Sequence, residues 1–343
     1  MPFSDSINKE IERVVKRLGD VYDENAVRYA VVTDTHYDTK QSEGNEELID
    51  NTIKIIRLLA EKGAIDFTAH CGDITTGWRS GEECNENTES VARSFLDFPC
   101  PVLFSIGNHD LNHNPDTKGK TEEQLDVKRW YDLTQKKFRK QDFVYDESAP
   151  DSLYFYTDIP DKKARIVCLQ SFFCKDDEKQ MQFIAEKVLT VKDDGFKYVF
   201  LSHAPIDIKY EEGQMNHVCQ GNETLKKLIK ALNEQTVAET EVGTFDFREF
   251  SSKAVAFNCG HMHNSYVEFN DELKMFHSVT GQTGCVGSGN FREVKADGQT
   301  VHRHPLSNDD ANRYLFDIVS VTADKYERIR FGTGVDKTVI AER

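Results

Sequence analysis

The chain has 343 residues, of which 38% are hydrophobic and 30% are charged, and its formal net charge at pH 7 is −16. The composition is typical of a soluble globular protein, and the length is enough for one elaborated domain or two ordinary ones. The acidic balance argues against broad binding to nucleic acids or anionic membranes, because both require a basic surface.

The sequence also carries signals about its compartment. No apolar run is long enough to span a bilayer, and residues 1–20 are charged throughout, unlike the apolar core of a signal peptide. None of the eight cysteines forms a C-x-x-C pair, which argues against a structural zinc site. We therefore predict a cytoplasmic protein with reduced thiols and no membrane association.

The first predicted element is a helix. Apolar residues recur at helical spacing over 7–18, which places a helical extension at residues 1–24, ahead of a main domain at 25–343. The next predicted elements are a strand at 27–33, a long amphipathic helix at 48–60 and a strand at 65–71. Strand, helix and strand at this spacing indicate a βαβ unit with a right-handed crossover, in which the two strands are parallel.

The rest of the chain alternates strands with helices and then continues as strands alone. The predicted strands lie at 101–106, 153–157, 164–169, 197–202 and 254–259, and the predicted helices at 86–97, 121–133, 177–189 and from Asn222 onward. Beyond residue 264 the period is that of strands, and we expect the strands of 264–343 to complete the second of two sheets. The pattern predicts an α/β fold of two packed mixed β-sheets flanked by helices.

Five of the predicted strands end in side chains that can bind metal ions. They deliver, in chain order, Asp34 and His36, then Asp73, then Asn108, His109 and Asp110, then His203, and last His261 and His263. Open α/β sheets place ligands at the carboxyl ends of their strands, so we expect these side chains to meet. Oxygen and imidazole ligands together suit Mn, Fe, Zn or Ni. The set is too large for one tetrahedral ion and fits two ions ~3.5–4 Å apart.

The order of these motifs resembles that of the calcineurin-like metallophosphoesterases, which is D-x-H, G-D, G-N-H-D/E, H and G-H-x-H. In this chain the motifs read Asp34 to His36, Gly72-Asp73, Gly107 to Asp110, His203, and Gly260 to His263. The resemblance spans roughly residues 27 to 263. It implies the αββα sandwich of that family and a metal-dependent hydrolase of phosphoric esters.

The resemblance also implies a role for each motif residue. Asp73 would bridge the two ions, Asp34, His36 and His263 would hold the first ion, and Asn108, His203 and His261 the second. A hydroxide shared by the metals would attack phosphorus, and His109, which is not a ligand in that family, would protonate the leaving oxygen. Asp110 would assist catalysis by orienting an imidazole or raising its pKa.

One position departs from two well-defined branches of the family. Thr76 stands three residues after Asp73, where iron-tyrosinate purple phosphatases carry Tyr and protein phosphatases carry Asp followed by Arg-Gly. This argues against both branches and leaves the broad group of bacterial and phage phosphoesterases and phosphodiesterases.

Substrate contacts are predicted in the loops 74–84, 111–120 and 204–221, whose candidates are Trp78, Arg79, His113 and His217. A packed Trp78 and a solvated Arg79 explain those two residues equally well. Only Arg79 and Lys209 could clamp a phosphate, whereas a monoester dianion is usually held by Arg or Lys in addition to metal. We therefore favour a small phosphodiester as the substrate.

Three other functions were weighed. A phosphomonoesterase acting on a small phosphorylated metabolite is the nearest alternative. A non-catalytic scaffold that keeps the fold is disfavoured because the chain retains every predicted ligand. A nuclease for DNA ends is disfavoured by the net charge of −16. The sequence predicts neither the oligomeric state nor the identity of the metals.

Overall fold

The structure, a computed structural model, describes residues 3–39, 45–112, 124–138, 142–150, 152–174, 177–207, 218–283, 291–294, 300–303 and 307–341. Its first sheet has six strands in the spatial order β17-β16-β15-β1-β2-β3. In chain order these are β1 (Val27–Val32), β2 (Phe67–His70), β3 (Val102–Phe104), β15 (Leu315–Val321), β16 (Lys325–Gly332) and β17 (Lys337–Ile340). The strands β1 to β3 are parallel, and β15 to β17 run antiparallel to their neighbours.

The second sheet has seven strands in the order β11-β12-β10-β7-β6-β5-β4. In chain order these are β4 (Val144–Tyr145), β5 (Phe155–Ile159), β6 (Ala164–Cys168), β7 (Lys197–Leu201), β10 (Lys253–Cys259), β11 (Tyr266–Asn270) and β12 (Met275–Val279). Its central strands are parallel, and antiparallel strands lie at both edges. Two small hairpins are formed by β8 (Val237–Thr240) with β9 (Gly243–Asp246) and by β13 (Phe291–Val294) with β14 (Thr300–Arg303).

Six α-helices lie in the described part of the chain. They are α1 (Asp5–Asp20), α2 (Asn45–Glu61), α3 (Gly81–Ser94), α4 (Val127–Leu133), α5 (Asp177–Phe183), which a π-helical turn continues to Val188, and α6 (Asn222–Glu234). Helix α3 begins at the capping box of Ser80 and Glu83, five residues before the predicted start at 86. Among the described residues, no helix combines the length and the apolarity that crossing a bilayer requires.

Alternation along the strands explains the four layers. In β1, Val27, Tyr29 and Val31 pack between the two sheets, while Ala30 and Val32 pack against α1 and α2. Successive strand residues point to opposite faces, so a strand buried on both sides reads as one continuous apolar run. On the outer face of the second sheet, α5 and α6 cover a further hydrophobic cluster. The predicted sandwich of two mixed sheets between helices is thereby confirmed.

A buried hydrogen-bonded trio joins the two sheets. The Asn258 amide of β10 donates to the Tyr29 hydroxyl of β1 at 2.8 Å and accepts from the Tyr326 hydroxyl of β16 at 2.6 Å. Buried polar groups are retained when they are paired, and a paired group tolerates few alternative arrangements. This trio therefore favours one alignment of the sheets over others.

The prediction for the C-terminal strands was wrong for most of that segment. Only β11 and β12 join the second sheet, whereas β15 to β17 extend the first, with Val27 of β1 opposite Val321 of β15. The strand β2 pairs with one edge of β1. Without β15, the other edge of β1 would expose unpaired N–H and C=O groups. The helix α1 packs on the same strands, burying Ile7, Val14 and Leu18.

Candidate metal centre

The loops that follow β1, β2, β3, β7 and β10 meet at one edge of the sandwich. The loop after β1 is bonded to the loop after β2, since Asp34 N–H donates to the Gly72 carbonyl at 3.0 Å and His36 N–H to the Asp73 carbonyl at 3.1 Å. Five predicted ligands have left-handed backbone: Asp34 (φ 51°), His36 (42°), Asp73 (51°), His261 (68°) and His263 (51°). Such conformations persist where the surrounding structure holds them, and they cluster at functional sites.

A first group of ligand atoms comes from four residues. One potential ligand atom from each of Asp34, His36, Asp73 and His263 lies within 4.8 Å of the other three. The Nε2 atom of His263 is 3.1 Å from His36 Nε2 and 3.1 Å from Asp34 Oδ1. Two imidazole nitrogens and carboxylate oxygens that face one another form a donor set suited to a divalent transition metal.

A second group shares one member with the first. Ligand atoms of Asp73, His203 and His261 also lie within 4.8 Å of one another. The Nε2 atom of His203 is 3.2 Å from Asp73 Oδ2 and 3.1 Å from Asn108 Oδ1. Because Asp73 belongs to both groups, its carboxylate stands where a carboxylate bridging two ions would stand.

The electrostatics of these buried residues fit two bound cations. Burial disfavours the charged forms of Asp34 and Asp73, but His263 beside Asp34 and His203 beside Asp73 hold both carboxyl pKa values below their usual range. Burial lowers the pKa of His36 to about 3, which leaves its imidazole neutral and able to bind a metal. The buried Asp34 Oδ1 accepts no hydrogen bond within the described part of the chain. A cation would compensate this oxygen.

The surroundings of the His203 imidazole also fit a bound cation. Although burial opposes protonation, the Asp73 and Asp34 carboxylates raise the pKa of His203 to about 9. A metal ion at Nε2 would replace the proton that these carboxylates favour, because metal ligands bind in their deprotonated forms. The other ring nitrogen is already committed, since Nδ1–H donates to the Cys71 carbonyl at 2.6 Å. Such a bond fixes the tautomer and aims Nε2 at the site.

Close approach explains two glycines of the motifs. A Cβ atom on Gly107 would lie 2.2 Å from Asp73 Oδ1, and one on Gly260 would lie 1.9 Å from Thr33 Oγ1 and 2.4 Å from Asp34 Oδ2. The ligand carboxylates therefore fill the space that a side chain would need at these positions. The motif glycines admit the ligands as well as turning the backbone.

His109 lies beside the two ligand groups and belongs to neither. Its Nδ1–H donates to the Thr76 carbonyl at 2.7 Å, which directs Nε2 toward the carboxylate of Asp73, 3.9 Å away at Oδ2. The ring packs edge-on against His36 with the centroids 4.8 Å apart. The imidazole is thus held in one orientation next to the candidate ligands.

Asp110 does not contact an imidazole in the way that the sequence predicted. Its carboxylate accepts backbone N–H groups from Gly107 at 2.8 Å, Asp73 at 3.1 Å and Ile74 at 2.7 Å. Burial and the nearby Asp73 carboxylate raise the pKa of Asp110 to about 7. The residue fastens the loop after β2 to the loop after β3 and holds the backbone of Asp73.

The predicted substrate contacts had different outcomes. Arg79 is not a free clamp, because its Nε pairs with Asp38 Oδ2 at 2.9 Å. The Trp78 ring is 53% exposed and lies 5.6 Å from the His109 ring. His113 and His217 lie outside the described residues, as does Lys209.

The sequence did not point to several residues that hydrogen-bond to the candidate ligands or pack against them. Ser171 Oγ accepts the backbone N–H of His203 at 2.9 Å, and Thr33 Oγ1 donates to Asp34 Oδ2 at 2.7 Å. The Phe172 ring lies 5.2 Å from that of His261 and 5.9 Å from that of His203. Ser171 and Phe172 follow β6, which ends in no recognised motif, so no local signal pointed to them. Thr33 directly precedes the motif of Asp34 and His36, and this position is a signal that could have identified it.

Comparison with known proteins identifies the family. Residues 27–265 match the family described as calcineurin-like phosphoesterase, and the chain belongs to that family. Metal-dependent hydrolysis of phosphoric esters is the activity that this membership and the dimetal ligand set support. A search of curated protein sequences found no match.

Two solved structures share the fold. A dimetal phosphatase from Danio rerio has a TM-score of 0.54 at 10% identity, with 92% of this chain and 99% of that chain covered. The purple acid phosphatase PPD1 from yellow lupin, Lupinus luteus, has a TM-score of 0.54 at 13% identity, with 93% of this chain and 54% of that chain covered. At these identities the likeness concerns the fold alone.

Proposed function

We propose that this chain hydrolyses a small phosphodiester at a two-metal centre, with His109 protonating the leaving oxygen. The observation that carries the proposal is the position of Asp73, which lies in both ligand groups while His109 is held beside them and outside them. A bridging carboxylate next to an unliganded imidazole is the arrangement that a two-metal hydrolase with a separate general acid requires.

The residues divide between two cations. Asp34, His36 and His263 would hold one ion, Asn108, His203 and His261 the other, and Asp73 would contact both. Bound divalent ions would lower the pKa of a water molecule, polarise the phosphoryl group and offset charge that develops on its oxygens. Asn108 is neutral, so two carboxylates face two divalent charges, and the centre would keep a net positive charge that attracts a phosphate.

The chain's own contribution to the chemistry is the placement of one proton. Because His109 Nδ1–H is committed to the Thr76 carbonyl, only Nε2 can deliver a proton to the substrate. In the reaction the oxygen of a water molecule that has lost a proton to solvent bonds to phosphorus, the ester P–O bond breaks, and a proton passes from Nε2 to the departing oxygen. Nε2 then regains a proton from solvent, so that one water molecule is consumed for each ester bond broken. A positioned acid of this kind contributes roughly 10²–10⁴ in rate.

The preference for a diester rests on charge. Arg79 is the predicted clamp that the described residues include, and the pairing of its Nε with Asp38 Oδ2 at 2.9 Å offsets its charge and engages part of its guanidinium group. A diester carries one negative charge and needs such a clamp less than a monoester dianion does. A phosphomonoesterase acting on a small metabolite remains the second candidate, and a clamp supplied by Lys209 would favour it.

The experiment is a comparison of kcat/KM on one preparation reconstituted with Mn²⁺. We expect bis(p-nitrophenyl) phosphate to be hydrolysed with a higher kcat/KM than p-nitrophenyl phosphate, and both activities to disappear with chelator. A clear monoester preference would contradict the diester assignment. Absence of any metal-dependent turnover would favour the non-catalytic scaffold.

The cellular setting is also proposed from supporting features. The net charge of −16 supports a small substrate rather than a nucleic acid. Six cysteines within the described residues are buried free thiols, which supports a reducing compartment such as the cytoplasm. Fractionation of the native cells would test the location.

A further inference from the structure

The two tryptophans of the chain have opposite environments. Trp130 is 1% exposed and packs in a hydrophobic cluster beneath α3 and α4, whereas Trp78 is 53% exposed. Six large hydrophobic residues among those described are at least 40% exposed, and Trp78 has the largest side chain of them. An exposed indole that neighbours a reactive group is a feature of ligand contact more than of folding stability.

The backbone that carries Trp78 is fixed on both sides. A Cβ atom on Gly77, whose φ is +74°, would lie 2.4 Å from the His109 carbonyl oxygen, so this loop touches the His109 backbone directly. On the other side, Asn112 Nδ2 donates to the Arg79 carbonyl at 2.8 Å, and the Arg79 side chain pairs with Asp38 at 2.9 Å. The indole is therefore exposed on a loop that is held, not on one that is loosely attached.

The same loop orients the candidate acid. Thr76 supplies the carbonyl that accepts His109 Nδ1–H at 2.7 Å, and two residues later the Trp78 ring lies 5.6 Å from the His109 ring, inclined by 46°. The His109 ring is in turn 4.8 Å from His36 of the first ligand group. From the candidate ligands outward, the order is metal ligand, proton donor and exposed indole. A group leaving toward His109 would pass next to Trp78.

We propose that Trp78 is a specificity residue that stacks on a planar ring in the leaving group of the substrate. The inference rests on the proposed function, since it needs a phosphoester at the metal centre and His109 on the leaving side. It assigns the substrate class as phosphoesters whose departing alcohol carries an aromatic or heteroaromatic ring close to the ester oxygen. Contacts between aromatic rings contribute roughly 2- to 10-fold in affinity beyond the apolar area that they bury.

Methyl benzyl phosphate tests the proposal within a single molecule. Either ester bond can break, and methanol and benzyl alcohol are leaving groups of similar basicity, so the ratio of the two alcohols reports which group faces His109. With the Mn²⁺-loaded wild type, we expect benzyl alcohol to exceed methanol roughly 2- to 10-fold. Trp78→Ala should bring the ratio close to one, and Trp78→Phe should keep most of the preference. Tyr22→Ala, which removes an aromatic side chain 61% exposed, is the matched control and should match the wild type.

A binding measurement separates this inference from the proposed function. Calorimetry on the same Mn²⁺-loaded proteins would compare benzylphosphonate and ethylphosphonate, which have the same ionisable group, contain no ester bond and join phosphorus to carbon through a bond that is not hydrolysed. We expect tighter binding of the benzyl compound by the wild type, with the difference lost in Trp78→Ala at unchanged metal content. No turnover of any ester would reject the proposed function while this comparison still decides the role of Trp78. The proposed role of Trp78 would be overturned if the ratio of the two Kd values were the same in the wild type and Trp78→Ala. It would also be overturned if the wild type showed no preference for the benzyl compound.

Discussion

The two sheets hold their metal-binding loops in different ways. On the first sheet, the Asp110 carboxylate accepts four backbone N–H groups, from Gly107, Asp73, Ile74 and Thr75, and so joins two ligand loops. On the second sheet, the neutral Ser171 hydroxyl accepts the N–H groups of His203 and Ala204, at 2.9 and 3.2 Å. An ionised carboxylate in general accepts stronger hydrogen bonds than a neutral hydroxyl does.

The difference follows from what each sheet contributes. The first sheet supplies Asp73, which faces both groups of ligand atoms, and a displacement of its backbone would disturb both. The second sheet supplies His203 and His261 to one group and His263 to the other, and the loop after β7, which carries His203, serves one group alone. Asp110 therefore holds the residue common to both groups, whereas Ser171 holds a residue of one group. This comparison yields four predictions, given from the largest effect to the smallest.

Asp73→Ala should abolish metal binding and activity. It removes the carboxylate common to both ligand groups, so we expect metal content to fall from about two ions per chain toward none and turnover to reach background. Elemental analysis after Mn²⁺ reconstitution measures the loss. Asn108→Ala is the matched comparison, since it removes a ligand from one group alone and should retain one ion. Two retained ions in Asp73→Ala would show that Asp73 is not a ligand shared by the two ions.

His109→Ala should remove activity while leaving both sheets and their ligands in place. We expect about two ions per chain and a fall in kcat of roughly 10²–10⁴ for an alkyl ester, because a positioned acid is lost. An activated aryl ester leaves without a proton, so its rate should fall less. The control is metal content in the same samples. A loss of ions together with equal rate losses on both esters would identify His109 as a ligand.

Asp110→Asn should weaken the first-sheet clamp without changing its size. The amide presents one oxygen and one NH₂ group where four N–H donors converge, so at least one donor loses its acceptor. We expect the free energy of unfolding to fall by about 1–3 kcal/mol. Metal affinity should fall roughly 10- to 100-fold, as for residues that orient ligands. Denaturant unfolding of the metal-free protein and Mn²⁺ titration measure the two effects, and unchanged values in both would remove Asp110 from this role.

Ser171→Ala should have the smallest effect, confined to the second sheet. The buried N–H of His203 loses its acceptor, and we expect the free energy of unfolding to fall by about 1 kcal/mol, less than in Asp110→Asn. Metal binding at the group containing His203 should weaken by less than in Asp110→Asn, with the other ion retained. Ser252→Ala is a control on the same sheet, because its hydroxyl donates to the Val191 carbonyl away from the ligands. A larger loss of metal in Ser171→Ala than in Asp110→Asn would reverse the comparison.

Much of this arrangement could be predicted from local patterns. The nearly continuous apolar run in Val27–Val32 is sufficient to identify a strand buried on both faces, and Asp34 follows it in the chain. Ligands lie at the carboxyl ends of strands in open α/β sheets, and the sequence predicts on this ground that Asp73 and His203 meet, although they follow strands of different sheets. They do so, with Asp73 Oδ2 and His203 Nε2 3.2 Å apart.

Contacts between distant segments decided the rest. A strand pattern in residues 315–340 is compatible with either sheet, and only pairing with the open side of β1 placed it in the first. Arg79 reads as a phosphate clamp until Asp38, 41 positions earlier, is found to pair with it. From the sequence Asp110 is predicted to be a catalytic carboxylate, but in the structure four backbone N–H groups donate to it. A residue's type and neighbours in sequence determine what it can bind, whereas its partner depends on which segments pack against it.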